Sequence, residues 1–293
     1  MFIATLIAKE RLSGGDISAA EDRMAAAGAH AFARSWIEDE RACDLLFSQG
    51  EDAARVALEG AFEAIDVVVQ PEAERRRRLL VADMDSTMIA VECIDELADY
   101  AGLKAEVAAI TERAMQGALD FEAALRARVA LLKGLDAAAI DRCRGERVRL
   151  TPGARALVRT LRREGVGTVL VTGGFTAFAE PVAAEIGFET VRANRLAVAG
   201  GKLTGAVEGP IVGAEAKRQA LLDGLAERGL EAAASLAVGD GANDIPMLQA
   251  AGLGVAYHAK PAAAAAARAR IVHNDLTALL FAQGYACRDW EVD

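Results

Sequence analysis

At 293 residues with 53% apolar side chains, the chain is long enough for two domains and too apolar for disorder. No apolar run reaches the length of a membrane span, and residues 1–8, without a basic lead-in and followed at once by Lys9-Glu10, read as a first strand and not a signal peptide. The net charge of −10 is uneven: residues 1–74 hold 6 Lys/Arg against 15 Asp/Glu and the remainder 27 against 28, a balance that argues against nucleic acid as a partner.

Cys43, Cys93, Cys143 and Cys287 form no CxxC pair, so zinc and thioredoxin chemistry find no support. Four buried free thiols in a reducing, cytoplasmic setting are expected.

Residues 2–8 predict a strand, 16–27 a helix stopped by Gly28, 31–37 and 43–47 two strands, 52–62 a helix and 65–69 a last strand before Pro71. This βαββαβ order is the ferredoxin-like plan. It resembles the ACT-type regulatory modules that accompany amino-acid enzymes; a homodimerisation or packing role without a ligand fits the same order. Pro71 and the charge after it place a domain boundary near residue 74, with the four arginines at 75–78 as a solvated linker and strand lead-in.

The run Leu79-Leu80-Val81-Ala82 then climbs into Asp83-Met84-Asp85-Ser86-Thr87. It predicts a buried parallel strand that delivers two carboxylates to the carboxyl edge of a sheet, where open α/β folds bind ligands. Residues 90–150 interrupt the alternation with helices only: 91–101 ending at Gly102, 104–115 near Gly117, 121–132 near Gly134 and 137–144 at Gly145. An all-helical insert directly after such a strand reads as a cap. In the third of these helices Arg128 falls near the centre of the apolar face and Arg126 points away. An arginine there needs an anion, and a structural Asp and a substrate carboxylate are both candidates.

The alternation resumes with Thr151-Pro152-Gly153 as a capped helix start with Pro at N1, stopped by Gly165. Strand 166–171 runs into Thr172-Gly173-Gly174, a strand–helix turn whose backbone N–H groups suit an anion. A helix to Gly187, a hairpin of 195–198 and 203–207, a helix 214–228 and a strand 235–238 follow. That strand ends in Gly239-Asp240-Gly241-Ala242-Asn243-Asp244, and short strands at 254–257 and 271–273 flank a helix at 261–269. The fold class is therefore α/β, a doubly wound Rossmann-like parallel sheet with a helical cap insert, preceded by a small α+β ferredoxin-like domain.

Asp83 with Asp85 is not a calcium loop, because Met88 and Ile94 stand where Gly and Glu are needed. The run 239–244 is not a dinucleotide fingerprint, since its sixth residue is Asp244. No GxxxxGK[ST] or HExxH occurs. Asp83, Asp240 and Asp244 make an oxygen-rich, thiol-free cluster that suits Mg2+. Lys217, early in its helix, is a counter-charge for a phosphate if one binds.

These motifs, in this order, resemble those of the haloacid dehalogenase superfamily. With Val91-Glu92-Cys93-Ile94-Asp95-Glu96-Leu97, Met115-Gln116-Gly117, Phe121-Glu122 and Leu125-Arg126-Ala127-Arg128-Val129 they are similar, more narrowly, to its phosphoserine phosphatases. The resemblance spans about residues 79–285. Thr172 departs from it, standing where the family usually has Ser with the hydroxyl kept. It implies a phosphatase domain over 75–293 that hydrolyses phosphoserine, the last step of serine biosynthesis, through an aspartyl-phosphate. Asp83 would be the nucleophile and Asp85 the acid/base. Mg2+ would be held by Asp83, the Asp85 carbonyl and Asp240. Thr172, Gly173, Lys217 and Asn243 would hold the phosphoryl group, Glu92 the substrate ammonium and Arg128 its carboxylate. Transfer of the phosphoryl group to another alcohol such as homoserine, and a non-catalytic amino-acid sensor, are the alternatives.

Overall fold

The computed structural model describes residues 1–115 and 119–292. The expected motif Met115-Gln116-Gly117 and the helix stop at Gly117 lie at or outside that boundary.

Strands β1 (Phe2–Ala8), β2 (Ala31–Glu38), β3 (Ala42–Phe47) and β4 (Ile65–Pro71) form an antiparallel sheet in the order β2-β3-β1-β4, with helices α1 (Gly14–Ala26) and α2 (Glu51–Leu58) between them in sequence. This is the ferredoxin-like order read from the sequence. Ser13 and Asp16 cap α1 reciprocally, which starts that helix two residues before the expected position. Because side chains alternate along a strand, Ala4, Leu6, Ala8, Cys43, Leu45, Val67 and Val69 share one core with Ile17, Met24 and Leu58 of the two helices. The intervening residues face the rest of the molecule. Several are polar and all of these are satisfied: Thr5 donates to Asp44, Gln70 donates to the Ala282 carbonyl, and Asp66 accepts the backbone N–H groups of Val272, His273 and Asn274.

That seam corrects the solvated-linker expectation for residues 75–78. Arg75 reaches into it and forms a 2.6 Å ion pair with the buried Asp44. Arg77 is 2% exposed and donates to Gln70 and to the Ala233 carbonyl. Arg76 lies over the Tyr285 ring. Only Arg78 of the four is exposed without such a contact. A charge run looks solvated in sequence, but guanidinium groups are the cations best suited to a buried polar seam.

The second sheet is built on β5 (Leu79–Ala82). The chain then makes a wide turn at Met84–Met88 and enters the insert: α3 (Cys93–Tyr100), α4 (Lys104–Met115), α5 (Phe121–Leu131) and α6 (Ala138–Arg147). An antiparallel bridge between Ile89 and Leu150 closes the neck of the insert. Gly145 does not end α6 as expected; it sits inside the helix, which runs on to Arg147. Next come α7 (Ala154–Arg163), β6 (Gly167–Phe175), α8 (Thr176–Ile186), β7 (Thr190–Ala199), β8 (Lys202–Glu208) and α9 (Ala214–Arg228). The chain closes with β9 (Ser235–Gly239), α10 (Ile245–Ala250), β10 (Leu253–Tyr257), α11 (Pro261–Ala266), β11 (Ala269–Ile271) and α12 (Ala278–Ala282). The start of α7 also differs from the sequence reading. Gly153, with φ 81°, is the cap, so Thr151 and Pro152 precede the helix. A Cβ at Gly153 would lie 2.7 Å from the Thr277 nitrogen, so both conformation and space require glycine there.

The sheet order is β11-β10-β9-β5-β6-β7-β8, parallel except for the β7–β8 hairpin. Leu79 and Val81 of β5 point into the core shared with Leu221 and Leu225 of α9; Leu80 and Ala82 point into the other. Burial on both faces explains the unbroken apolar run. Of the four cysteines, Cys43, Cys93 and Cys143 are buried, but Cys287 is exposed, because it lies in the short segment after α12.

Candidate active site

Three neighbouring parallel strands, β6, β5 and β9, end at one edge, and β10 ends beside them. The Asp83 N–H continues the ladder by donating to the Val238 carbonyl at 3.0 Å, which holds the first residue past β5 in place. Its carboxylate accepts the Met84 N–H at 2.8 Å and lies 2.6 Å from the Lys217 Nζ. Lys217, from the first turns of α9, is 0% exposed and reaches the fully buried Asp244 at 2.7 Å. The other Asp244 oxygen accepts the N–H groups of Asp240 and Gly241.

Two buried carboxylates thus share one ammonium. Burial opposes the charge of Lys217, but Asp83 and Asp244 outweigh it and hold its pKa above the usual lysine value. Burial pushes Asp83 upward, and Asp244 and Asp85 add repulsion that Lys217 offsets only in part. Negative charge is in excess here until a proton or a second cation joins.

Asp85 accepts the Cys93 N–H at 3.3 Å. Ser86 turns the chain with φ 55°, a left-handed conformation that a non-glycine residue keeps only when its surroundings hold it. Its hydroxyl donates to Glu92 at 2.9 Å, which sets Glu92 at the mouth of the site. Burial, and after it the Glu92 carboxylate, push Asp85 up from 3.8 to about 7. A carboxyl whose folded pKa is raised costs stability progressively as pH rises from its unfolded value near 4 to about 7, above which both states are ionised and the cost is constant. Asp85→Asn cannot ionise. In chelator, its melting temperature should therefore rise relative to the unsubstituted chain between about pH 4 and 7 and the difference level off above that. A difference constant across that range would show that Asp85 is already ionised at its lower end.

Contrary to the strand–helix turn expected, Thr172-Gly173-Gly174 continues β6 to Phe175, and α8 starts only at Thr176. The glycines serve close approach. A Cβ at Gly174 would stand 3.0 Å from the Asp85 carboxylate, and one at Gly173 would stand 2.9 Å from the Phe121 ring of the insert. Thr172 is buried and accepts the Gly174 N–H. The buried Asn194 donates to the Gly173 carbonyl and accepts the Val212 N–H, fixing the strand end from outside.

These groups surround a cavity of about 390 Å3, roofed by Phe121, Leu125 and Arg128 of α5. Asp83, Asp85, Glu92, Arg128, Thr172, Gly173, Asp240 and Asn243 all line it. Lys217 does not; it lies beneath the floor, against Asp83. The Arg128 Nε donates to its own helix at the Ala124 carbonyl. Among the described residues no carboxylate lies within ion-pair distance of Arg128; Asp95 is near enough for the Arg128 charge to favour its ionised form but does not pair with it directly, while Arg126 pairs outward with Glu122 as its position predicts.

Oxygens of Asp83, Asp240 and Asp244 all lie within 4.8 Å of one another, a hard-donor set that fits a divalent cation. This is the acidic cluster read from the residues themselves; the ligand set implied by the family resemblance, Asp83, Asp85 and Asp240, leaves out Asp244. Lys260 and Asn194 were not anticipated. Lys260 had a signal, since it follows the carboxyl end of a predicted parallel strand. Asn194 had none beyond being polar within a strand.

A doubly wound sheet with paired aspartates after its central strand and a helical insert over them defines a class of hydrolase. Residues 80–249 match the haloacid dehalogenase-like hydrolases, and the chain belongs to that family. It is 45% identical over 231 residues to the phosphoserine phosphatase of Streptomyces coelicolor, covering 78% of this chain and 56% of that protein. It thus spans about half the length of that relative. It is 46% identical over 208 residues to the phosphoserine phosphatase of a Polaromonas species, covering 69% of this chain and 88% of that protein. The unliganded probable phosphoserine phosphatase of Vibrio cholerae has the same fold, with a TM-score of 0.78 and 32% identity over 98% of this chain and 87% of that one. No helix among the described residues is long and apolar enough to cross a membrane.

Proposed function

We propose that this chain hydrolyses O-phospho-L-serine to L-serine and phosphate with Mg2+. The observation that carries the reading is Arg128: a half-buried guanidinium with no carboxylate within ion-pair distance among the described residues, across one cavity from the Asp83/Asp85 pair. A phosphate ester that also bears a carboxylate satisfies both ends.

In this reading the Asp83 carboxylate attacks phosphorus while Asp85 gives its proton to the departing serine oxygen. The Asp83–phosphate bond forms as the serine O–P bond breaks. Water then attacks the aspartyl-phosphate, Asp85 takes its proton, and phosphate leaves with the Asp83 carboxylate restored. A pKa raised to about 7 suits a group that both gives and receives a proton. Lys217 keeps Asp83 oriented and favours its ionised, nucleophilic form. Thr172, Gly173 and Asn243 hold the phosphoryl oxygens, and Glu92 takes the substrate ammonium. Asp83, Asp240 and Asp244, with the Asp85 carbonyl, would hold Mg2+, which offsets repulsion between the nucleophile and the phosphate dianion. Residues 1–74 form a separate module in this reading, and two copies associate through edge strand β2, where Phe32 and Trp36 are 58% and 42% exposed; sedimentation measures that association.

Phosphate release from phosphoserine and from esters lacking the carboxylate, with and without Mg2+, tests the reading. Arg128→Ala should lower kcat/KM for phosphoserine by about one to two orders of magnitude more than for a carboxylate-free ester, the worth of one charge-assisted contact. Equal losses would make Arg128 structural, and full turnover in chelator would remove the cation.

A further inference from the structure

After β10 the chain turns at His258, whose φ of 43° is left-handed and whose N–H donates to the Ile271 carbonyl at 2.8 Å. Two residues on, the Lys260 N–H donates to the Asp240 carbonyl at 2.9 Å, and Pro261 opens α11 immediately after it. The backbone of Lys260 is thus pinned to Asp240. Its side chain returns to the same residue, with Nζ 3.5 Å from the Asp240 carboxylate and 4.0 Å from Glu92. Lys217, the other lysine at the site, is already shared by Asp83 and Asp244. The Lys260 side chain is 67% exposed, so attraction and a fixed backbone hold it there, not packing, and it is free to swing away.

We propose that Lys260 is a resident counter-ion that stands in for a divalent cation at Asp240 and sets how tightly the acidic triad takes that ion. The inference rests on the reading of Asp83, Asp240 and Asp244 as a cation site. An ammonium held at one ligand must be displaced, or tolerated as a like charge, when a dication arrives, so it weakens binding in either case. Weak binding keeps the ion exchangeable, and the ammonium keeps Asp240 and Glu92 from repelling each other when no ion is bound.

Mn2+ binding to the full chain, followed by the loss of the free-ion EPR signal, tests this without turnover. At low salt Lys260→Met should bind Mn2+ about three- to tenfold more tightly than the unsubstituted chain, and the difference should shrink toward nothing at about 0.5 M salt because an exposed charge is screened. Lys260→Arg keeps the charge and should behave as the unsubstituted chain. Unchanged or weaker binding by Lys260→Met, a gain that ignores salt, or an equal gain in Lys260→Arg would overturn the role of Lys260 and leave the cation site standing. Absence of Mn2+ binding by the unsubstituted chain would remove the site itself and the inference with it.

Discussion

Asp83→Asn should abolish phosphate release from phosphoserine, with a loss of at least about a thousandfold, while the protein stays folded. The amide is isosteric but cannot form the acyl-phosphate, and no neighbouring carboxylate replaces it. Asp244 is ion-paired beneath the floor, and Asp85 is needed as the acid. The fold tolerates the change for a reason visible in the charge balance. Burial and repulsion already push the Asp83 carboxyl upward, so a neutral side chain removes a strained charge while Lys217 keeps Asp244. A phosphate-release assay with a thermal melt of the same sample measures both. Beryllofluoride, which mimics an acyl-phosphate, should bind at position 83 of the unsubstituted chain and not of the variant. Turnover within tenfold of the unsubstituted chain would mean that another group attacks phosphorus.

Lys217→Met carries the largest expected effect on stability. Methionine fills much of the same volume but leaves Asp83 and Asp244 buried beside each other without their ammonium. Removing one partner of a buried, hydrogen-bonded ion pair costs about 3–5 kcal/mol. Urea unfolding in chelator should show a loss of that order, and turnover should fall by at least about two orders of magnitude, because Asp83 then favours its protonated form. A divalent cation should restore part of the lost stability, since it supplies positive charge to the same carboxylates and binds only the folded chain. A change below about 1 kcal/mol, or no recovery with Mg2+, would show that the two aspartates are protonated or solvated, and that Lys217 is a packing residue.

Lys217 also marks the limit of sequence reading. Its position early in a helix beside an apolar stripe is the place of an ordinary solvated lysine, and only the company of a phosphate site suggested a counter-charge. The structure puts it fully inside and against the proposed nucleophile. The arginines at 75–78 fail in the same way: charge in sequence says nothing about whether a buried acid waits for it, and Asp44 lies 31 residues before Arg75. Where the reading succeeded, the signal was periodic. Arg128 sits at the centre of an apolar helical face, and the structure turns that face toward the cavity. Residues 79–82 form the strand that their sequence predicts, because an unbroken apolar run ending in two aspartates has few alternatives.

Local patterns in the sequence determined the element order, the central strand, the helical insert and the identity of the acidic residues, because each depends on neighbours within a turn or a strand pair. Tertiary structure alone decided which acids share a cation, that Gly173 and Gly174 are extended strand pressed against Phe121 and Asp85, and that Lys260 reaches Asp240. Those facts depend on distances between segments tens to hundreds of residues apart, and only the closing of the sheet sets such distances.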